Sequence, residues 1–233
     1  MKCAVMQPYF FPYLGYWQLL NYVDKYVVFD DVNYINRGWI NRNKILMDGK
    51  EQYFNIKLSN ASQNKHINEI DVINDLSDAN NSLKTLYYAY HKAPYFESVI
   101  PVIEKILLNR EKNLARFLFD QIKEVSDYLG ITTDIIMSSD IQKDNSLKGE
   151  DKILEICEKL NGSHYVNAIG GRELYNKNTF ASKGIDLCFL SMKEIKYPQF
   201  SRDVFHPNLS IIDVLMFNSK ETIQEYLNMF ELI

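Results

Sequence analysis

Residues 2–31 read KCAVMQPYFFPYLGYWQLLNYVDKYVVFDD, and this stretch sets the fold class. Lys2–Met6 is a short apolar run bounded by Gln7-Pro8, the pattern of a buried strand. Pro8 and Pro12 rule out regular pairing through the next segment, because proline lacks the N–H that a ladder needs. From Tyr13 to Val23, the residues Tyr16, Leu20 and Val23, with Trp17, fall on one helical face. Asp24-Lys25 then turns the chain into Tyr26-Val27-Val28-Phe29, β-branched and aromatic, which ends at Asp30-Asp31. Strand, helix and strand in about 30 residues make a parallel crossover, right-handed because of strand twist. The loops leaving the two strand ends, Gln7–Pro12 and Asp30–Arg37, are expected side by side, where open α/β sheets bind ligands.

Outward from this unit, Trp39–Met47 and Gln52–Leu58 flank an Asp48-Gly49-Lys50 turn and predict a hairpin. His66–Ile73 suits a further short strand. Three helices follow: one capped by Ser77 with Leu83, Leu86, Tyr87 and Tyr90 on a face, then Phe96–Leu108, then Leu114–Leu129 closed by Gly130. The α/β pattern resumes with the strand Ile135–Met137, ending at Ser138-Ser139-Asp140. A helix carrying Ile153, Ile156 and Leu160 and the strands His164–Val166 and Asp186–Leu190 come next, before helices over Leu209–Phe217 and Thr222–Phe230. The reading is one α/β domain over residues 1–233, a Rossmann-like parallel sheet with a hairpin and a helical insertion or cap at 77–130.

Composition narrows the function. The chain has 233 residues, 46% hydrophobic, enough to bury a core without staples. Its net charge of −4, spread along the chain, lacks the basic stripe of a nucleic-acid or membrane-surface protein. Cys3, Cys157 and Cys188 make neither a disulfide framework nor a zinc spacing, so a reducing, cytoplasmic setting is expected. The opening residues do not read as a signal peptide and no apolar run reaches about 20 residues, so neither a leader nor a membrane span is expected. His66, His91, His164 and His206 show no metal spacing, and Cys157 belongs to an apolar helix face. No metal site is therefore expected. The 13% aromatic content suits either a core or a cleft with apolar and polar walls.

Three stretches can carry chemistry. Gln7-Pro8-Tyr9-Phe10-Phe11-Pro12, with Gly15 and Tyr16, joins a strand to a helix N-terminus that offers free N–H groups to an anion. It reads equally as a stiff aromatic loop over the sheet. Asp30 and Asp31 end the second strand on opposite faces, so one of them at most meets a given cleft, to bind an amine or accept a proton. Ordinary turn chemistry with Asn33 is the plainer account. Arg37, Asn41, Arg42 and Asn43 form a polar patch in which arginine forks suit phosphate oxygens, against the alternative of a solvated edge strand. Ser138, Ser139, Lys148, Asn167, Gly170 and Gly171 make a weaker third group. Its glycines suggest a backbone cradle before a helix but lack the Gly-Lys-Ser/Thr of a P-loop.

The opening Gln7-Pro8-Tyr9-Phe10-Phe11-Pro12…Gly15-Tyr16 resembles the WbqC-like family of bacterial O-antigen and polysaccharide gene clusters. So do Asp30-Asp31-Val32-Asn33-Tyr34, Arg37…Asn41-Arg42-Asn43, Lys92-Ala93-Pro94-Tyr95-Phe96, Ser138-Ser139, Gly170-Gly171 and Pro207-Asn208-Leu209-Ser210-Ile211-Ile212-Asp213. A looser resemblance joins Phe11-Pro12…Gly15-Tyr16 to the nucleotidyltransferase superfamily. Tyr16 stands there where a histidine would be, which implies the fold without adenylyl transfer.

The family resemblance implies a transferase for surface polysaccharide, forming an amide on the amine of a nucleotide-linked amino sugar with a glycyl or other small acyl donor. On that reading Asp30 or Asp31 is the base, and Arg37, Arg42 and Lys148 hold phosphates. Asn41 and Asn43 orient hydroxyls, and the Ser138-Ser139 or Gly170-Gly171 backbone supplies oxyanion donors. The donor classes left open are a coenzyme A thioester, a thioester on an acyl carrier protein, and an acyl-adenylate made with ATP. The rival is a non-catalytic nucleotide- or sugar-binding scaffold. A glycosyltransferase ranks lower, because no Asp-X-Asp motif ends a strand.

Overall fold

The computed structural model describes residues 1–73, 75–200 and 204–233. Its central sheet holds β1 (Lys2–Met6), β2 (Lys25–Val28), β7 (Asp134–Met137), β8 (His164–Ala168), β9 (Asp186–Met192) and β10 (Phe230–Leu232). Across the sheet the order is β10-β9-β8-β1-β2-β7, parallel except for the antiparallel edge strand β10. The five parallel strands thus follow the doubly wound order 3-2-1-4-5.

Both faces of the sheet are covered, which is why its strands are nearly continuous apolar runs. On one face Ala4, Tyr26, Val28, Val166 and Leu190 join the larger core. That core takes in helices α1 (Leu14–Tyr22), α3 (Phe96–Leu107), α4 (Leu114–Leu129), α7 (Ile211–Phe217) and α8 (Lys220–Tyr226). On the other face Cys3, Val5, Val27, Tyr165 and Phe189 meet α5 (Gly149–Lys159) and α6 (Lys177–Ser182). Alternate residues along each strand face opposite ways, so one strand serves both cores. Gln18, buried in α1, donates from Nε2 to the carbonyls of Tyr226 and Met229 and ties the C-terminal elements to the first crossover.

Between β2 and β7 the chain builds the hairpin β3 (Arg42–Met47) and β4 (Lys50–Asn55), the small pair β5 (Lys57–Ser59) and β6 (Asp71–Ile73), and α2 (Leu76–Tyr90) with α3 and α4. Some local expectations change. The cap of α2 is Asp75, whose carboxylate accepts from Asp78 N–H at 2.8 Å, rather than Ser77. Gly170-Gly171 lie inside a 3-10 turn, Ile169–Leu174, and not before an α-helix. The last helix stops at Tyr226, because Phe230–Leu232 pairs with β9 as an edge strand. Among the described residues no helix is long and apolar enough to cross a membrane.

Candidate functional site

β1 and β8 are neighbours at the point where the strand order reverses. Their register runs only through Lys2–His164 and Cys3–Tyr165, whereas β1–β2 continues to Met6–Val28 and β8–β9 to Ala168–Leu190. The two strands therefore part toward their carboxyl ends, and a crevice opens between them at the switch point, where doubly wound sheets take ligands. It has two lobes that share Tyr9, Tyr13, Trp39, Ala168 and Gly170. The lobe toward α5 is a cavity of about 570 Å³ bounded by Gln7, Phe29, Gly149, Asn167 and Tyr175. The other, about 510 Å³, is bounded by Asn43, Ile169, Ser191 and Asn208.

The loop from Gln7 to Pro12 forms the entrance and is held from all sides. Phe11 has φ +42°, a left-handed conformation costly for a residue with a Cβ. Its N–H donates to Gln121 Oε1 at 3.0 Å, while Gln121 Nε2 donates to the Tyr9 carbonyl at 3.2 Å. The Phe11 carbonyl accepts from Asn43 Nδ2 at 2.8 Å and from the Ser210 hydroxyl at 2.9 Å. Phe10 N–H donates to the Trp39 carbonyl at 3.0 Å, which ties the loop to the start of the hairpin segment. Five hydrogen bonds to four residues thus fix a strained turn and present Tyr9 to both lobes. Phe11 and Tyr16, expected as binding residues, are fully buried core side chains instead, and the Tyr16 hydroxyl donates to the Gln7 carbonyl. Gly15 bounds the second lobe, and a Cβ there would also meet the Tyr13 ring at 2.5 Å.

The strand-end carboxylates are engaged. Asp30 is buried and accepts from Asn68 Nδ2 at 3.0 Å and from Ser139 N–H at 2.9 Å. That bond consumes the Ser139 N–H expected as an oxyanion donor. Asp31 lies between the ammonium groups of Lys143 and Lys152, at 2.8 and 3.0 Å. Burial pushes its carboxyl up, but Lys143, Ser138 and Lys152 together outweigh burial and hold it below the usual carboxylate range. A carboxylate so held is a weak proton acceptor. Ser138 is buried beneath it, with its carbonyl accepting from Lys143.

In the arginine patch only Arg42 folds back onto its own loop. Arg42 donates to the carbonyls of Gly38 and Arg37 and stacks over Tyr53 at 4.3 Å. Arg37 is exposed, and neither arginine bounds a lobe. Asn41 donates to the Ile56 carbonyl and accepts from the Tyr34 hydroxyl, so it braces the hairpin. Asn43 spends its amide on the Phe10 and Phe11 carbonyls. Lys148 is exposed at the N-cap position of α5, next to Gly149. Tyr13, Trp39, Ile169, Tyr175 and Asn208 also line the lobes and were not among the candidate site residues. The signal for Asn208 was a polar residue before a capped helix, which became a site residue only because Ser210 and Ile211 dock on Lys44 and Pro12.

The family model described as the WbqC-like protein family matches residues 7–225. The chain belongs to the WbqC-like protein family. One relative with similar sequence is Uncharacterized protein Rv1507c of Mycobacterium tuberculosis (strain ATCC 25618 / H37Rv), 23% identical over 227 residues that cover 97% of each chain. No solved structure matches the chain. In this WbqC-like chain the match includes the Gln7–Pro12 entrance, the engaged carboxylates, the 3-10 turn and the Asn208–Asp213 segment. The family signature therefore spans both walls of the crevice.

Proposed function

We propose that the switch-point crevice binds a nucleotide-linked amino sugar and that the chain is a transferase acylating its amine from an activated glycyl or other small acyl donor. The observation that carries the reading is the pair of connected lobes across the β1–β8 gap, lined by tyrosines, a tryptophan and polar amides. Such walls suit a base and a hexose, which offer flat apolar faces with polar edges. Arg37 and Arg42 bound neither lobe, so on this reading they do not hold the phosphates.

In the reaction the neutral amine attacks the acyl carbonyl, the bond to the thiolate or adenylate leaving group breaks, and the amine proton passes to solvent or the leaving group. Among the described residues bounding the lobes, the only titratable side chains are Tyr9, Tyr13 and Tyr175, all pushed up by burial. Catalysis on this reading comes from holding amine and carbonyl together rather than from proton transfer.

The same engaged carboxylates favour a second reading, a non-catalytic binding or scaffold protein. One experiment separates them. Purified protein is titrated calorimetrically with a nucleotide-linked 4-amino sugar, then incubated with that sugar and a coenzyme A thioester, a carrier-protein thioester or an acyl-adenylate. Binding followed by an acylated product in mass spectrometry is the expected result. Binding with no product from any donor class points to the scaffold, and no binding overturns both.

A further inference from the structure

We infer that Tyr165 is a positioning residue that turns the Asn167 carbonyl oxygen into the α5-side lobe, so that the ligand group seated there is a hydrogen-bond donor, a hydroxyl or N–H, and not a phosphate. The inference rests on the binding reading above and specifies which end of the ligand enters which lobe.

Tyr165 is fully buried in β8, and its hydroxyl accepts from Asn167 Nδ2 at 2.8 Å. The next polar atoms around that hydroxyl are the Val5 carbonyl and the Tyr175 hydroxyl, each at 3.5 Å. A carbonyl can only accept, and a phenol has one proton to give. In the structure the amide gives its NH₂ to the phenol oxygen and the phenol proton is left for the two longer contacts, an arrangement that turns the amide carbonyl away from Tyr165. Val5 is available because the β1–β8 ladder has already ended at Cys3–Tyr165.

The other half of the amide follows. Asn167 is 5% exposed and bounds the α5-side lobe, and among the described residues its Oδ1 has no hydrogen-bond partner. Oδ1 is not one of the fully buried unpaired atoms, so it is reachable from the lobe, where a donor from a ligand can meet it. Gly171 keeps the space open, because a Cβ there would approach Oδ1 to 3.0 Å. An anion placed against a carbonyl oxygen would be repelled, so a diphosphate lies elsewhere, with a ribose, base or sugar donor at Asn167.

The test uses the full chain and four probes, the diphosphates of uridine, guanosine, adenosine and thymidine, with Asn167→Leu, Asn167→Asp and Tyr165→Phe. The side-chain amide resonances of Asn167 in the ligand-free protein should be shifted and slow to exchange in wild type, and free in Tyr165→Phe. Unchanged resonances overturn the positioning role. For the tightest probe, Asn167→Leu should weaken binding about tenfold, the loss of one hydrogen bond. Asn167→Asp, which keeps an acceptor, should bind within about threefold of wild type, and Tyr165→Phe should fall between. Wild-type affinity in Asn167→Leu, or collapse only in Asn167→Asp, overturns the donor assignment while leaving the binding reading intact. If no probe binds, the binding reading and the donor assignment fall together, and the amide resonances alone decide the positioning role.

Discussion

Asp31 is the sole carboxylate within ion-pair distance of the buried Lys143 and Lys152 ammonium groups among the described residues. Removing its charge strands both cations. Asp31→Asn is therefore expected to cost about 3–5 kcal/mol at neutral pH, read by urea denaturation. The sign of the pH effect follows from the lowered carboxyl. The stabilisation is fully present above the unfolded value near about 3.9 and is lost as pH falls through the folded value, so wild type should lose this increment on acidification and Asp31→Asn should not. Asn43→Ala leaves the Phe10 and Phe11 carbonyls short of a donor beneath a strained turn and should cost about 1–3 kcal/mol in the same assay. Gly171→Ala should leave stability near wild type yet weaken nucleotide binding about tenfold in calorimetry, because its Cβ crowds Asn167 Oδ1. The sequence named Asp31, Asn43 and Asn167 as site residues. It could not say that the first two are spent on the scaffold while the third keeps a free atom, because hydrogen-bond partners are set by long-range packing.

Asp213 does for the elements what Asp31 does for its lysines. Its carboxylate in α7 accepts from the hydroxyls of Tyr90 in α2 and Tyr197, and from Gln199 Nε2. Tyr90 in turn accepts from Leu46 N–H in β3 at 2.9 Å. Helix, hairpin and the connection after β9 thus share one polar node. Burial pushes the Asp213 carboxyl up, and the bonds from Tyr197, Gln199 and Tyr90 only partly offset it. Here the sign is opposite to Asp31: stability is greatest below the unfolded value near about 3.9 and falls as pH rises through the folded value. Asp213→Ala should cost about 3 kcal/mol by leaving three donors unmatched, with Asp213→Asn milder and free of that pH-dependent fall, measured by denaturation across the acid range.

The elements themselves were largely legible, because helix periodicity and turn residues act between near neighbours. Leu114–Leu129 was read to its ends. Phe230–Leu232 was missed, since three residues carry no period and become a strand only through the exposed edge of β9.

The lobes lie across the one junction of the sheet where neighbouring strands separate, so a ligand filling both would fasten β1 to β8. Such binding adds to the unfolding free energy by mass action, about 2.7 kcal/mol at a hundredfold excess over Kd. A nucleotide-linked sugar should therefore raise the melting temperature of wild type, with a smaller rise for Asn167→Leu at equal concentration. The opening thirty residues were enough to give the crossover and the parallel sheet, because strand length, helix period and the handedness of the connection follow from local sterics. The strand order and the turn of Arg42 onto its own loop came from packing alone, as did the pairing of Asp31 with a lysine 121 positions away. Those depend on which distant apolar faces find each other, and no local pattern records that choice.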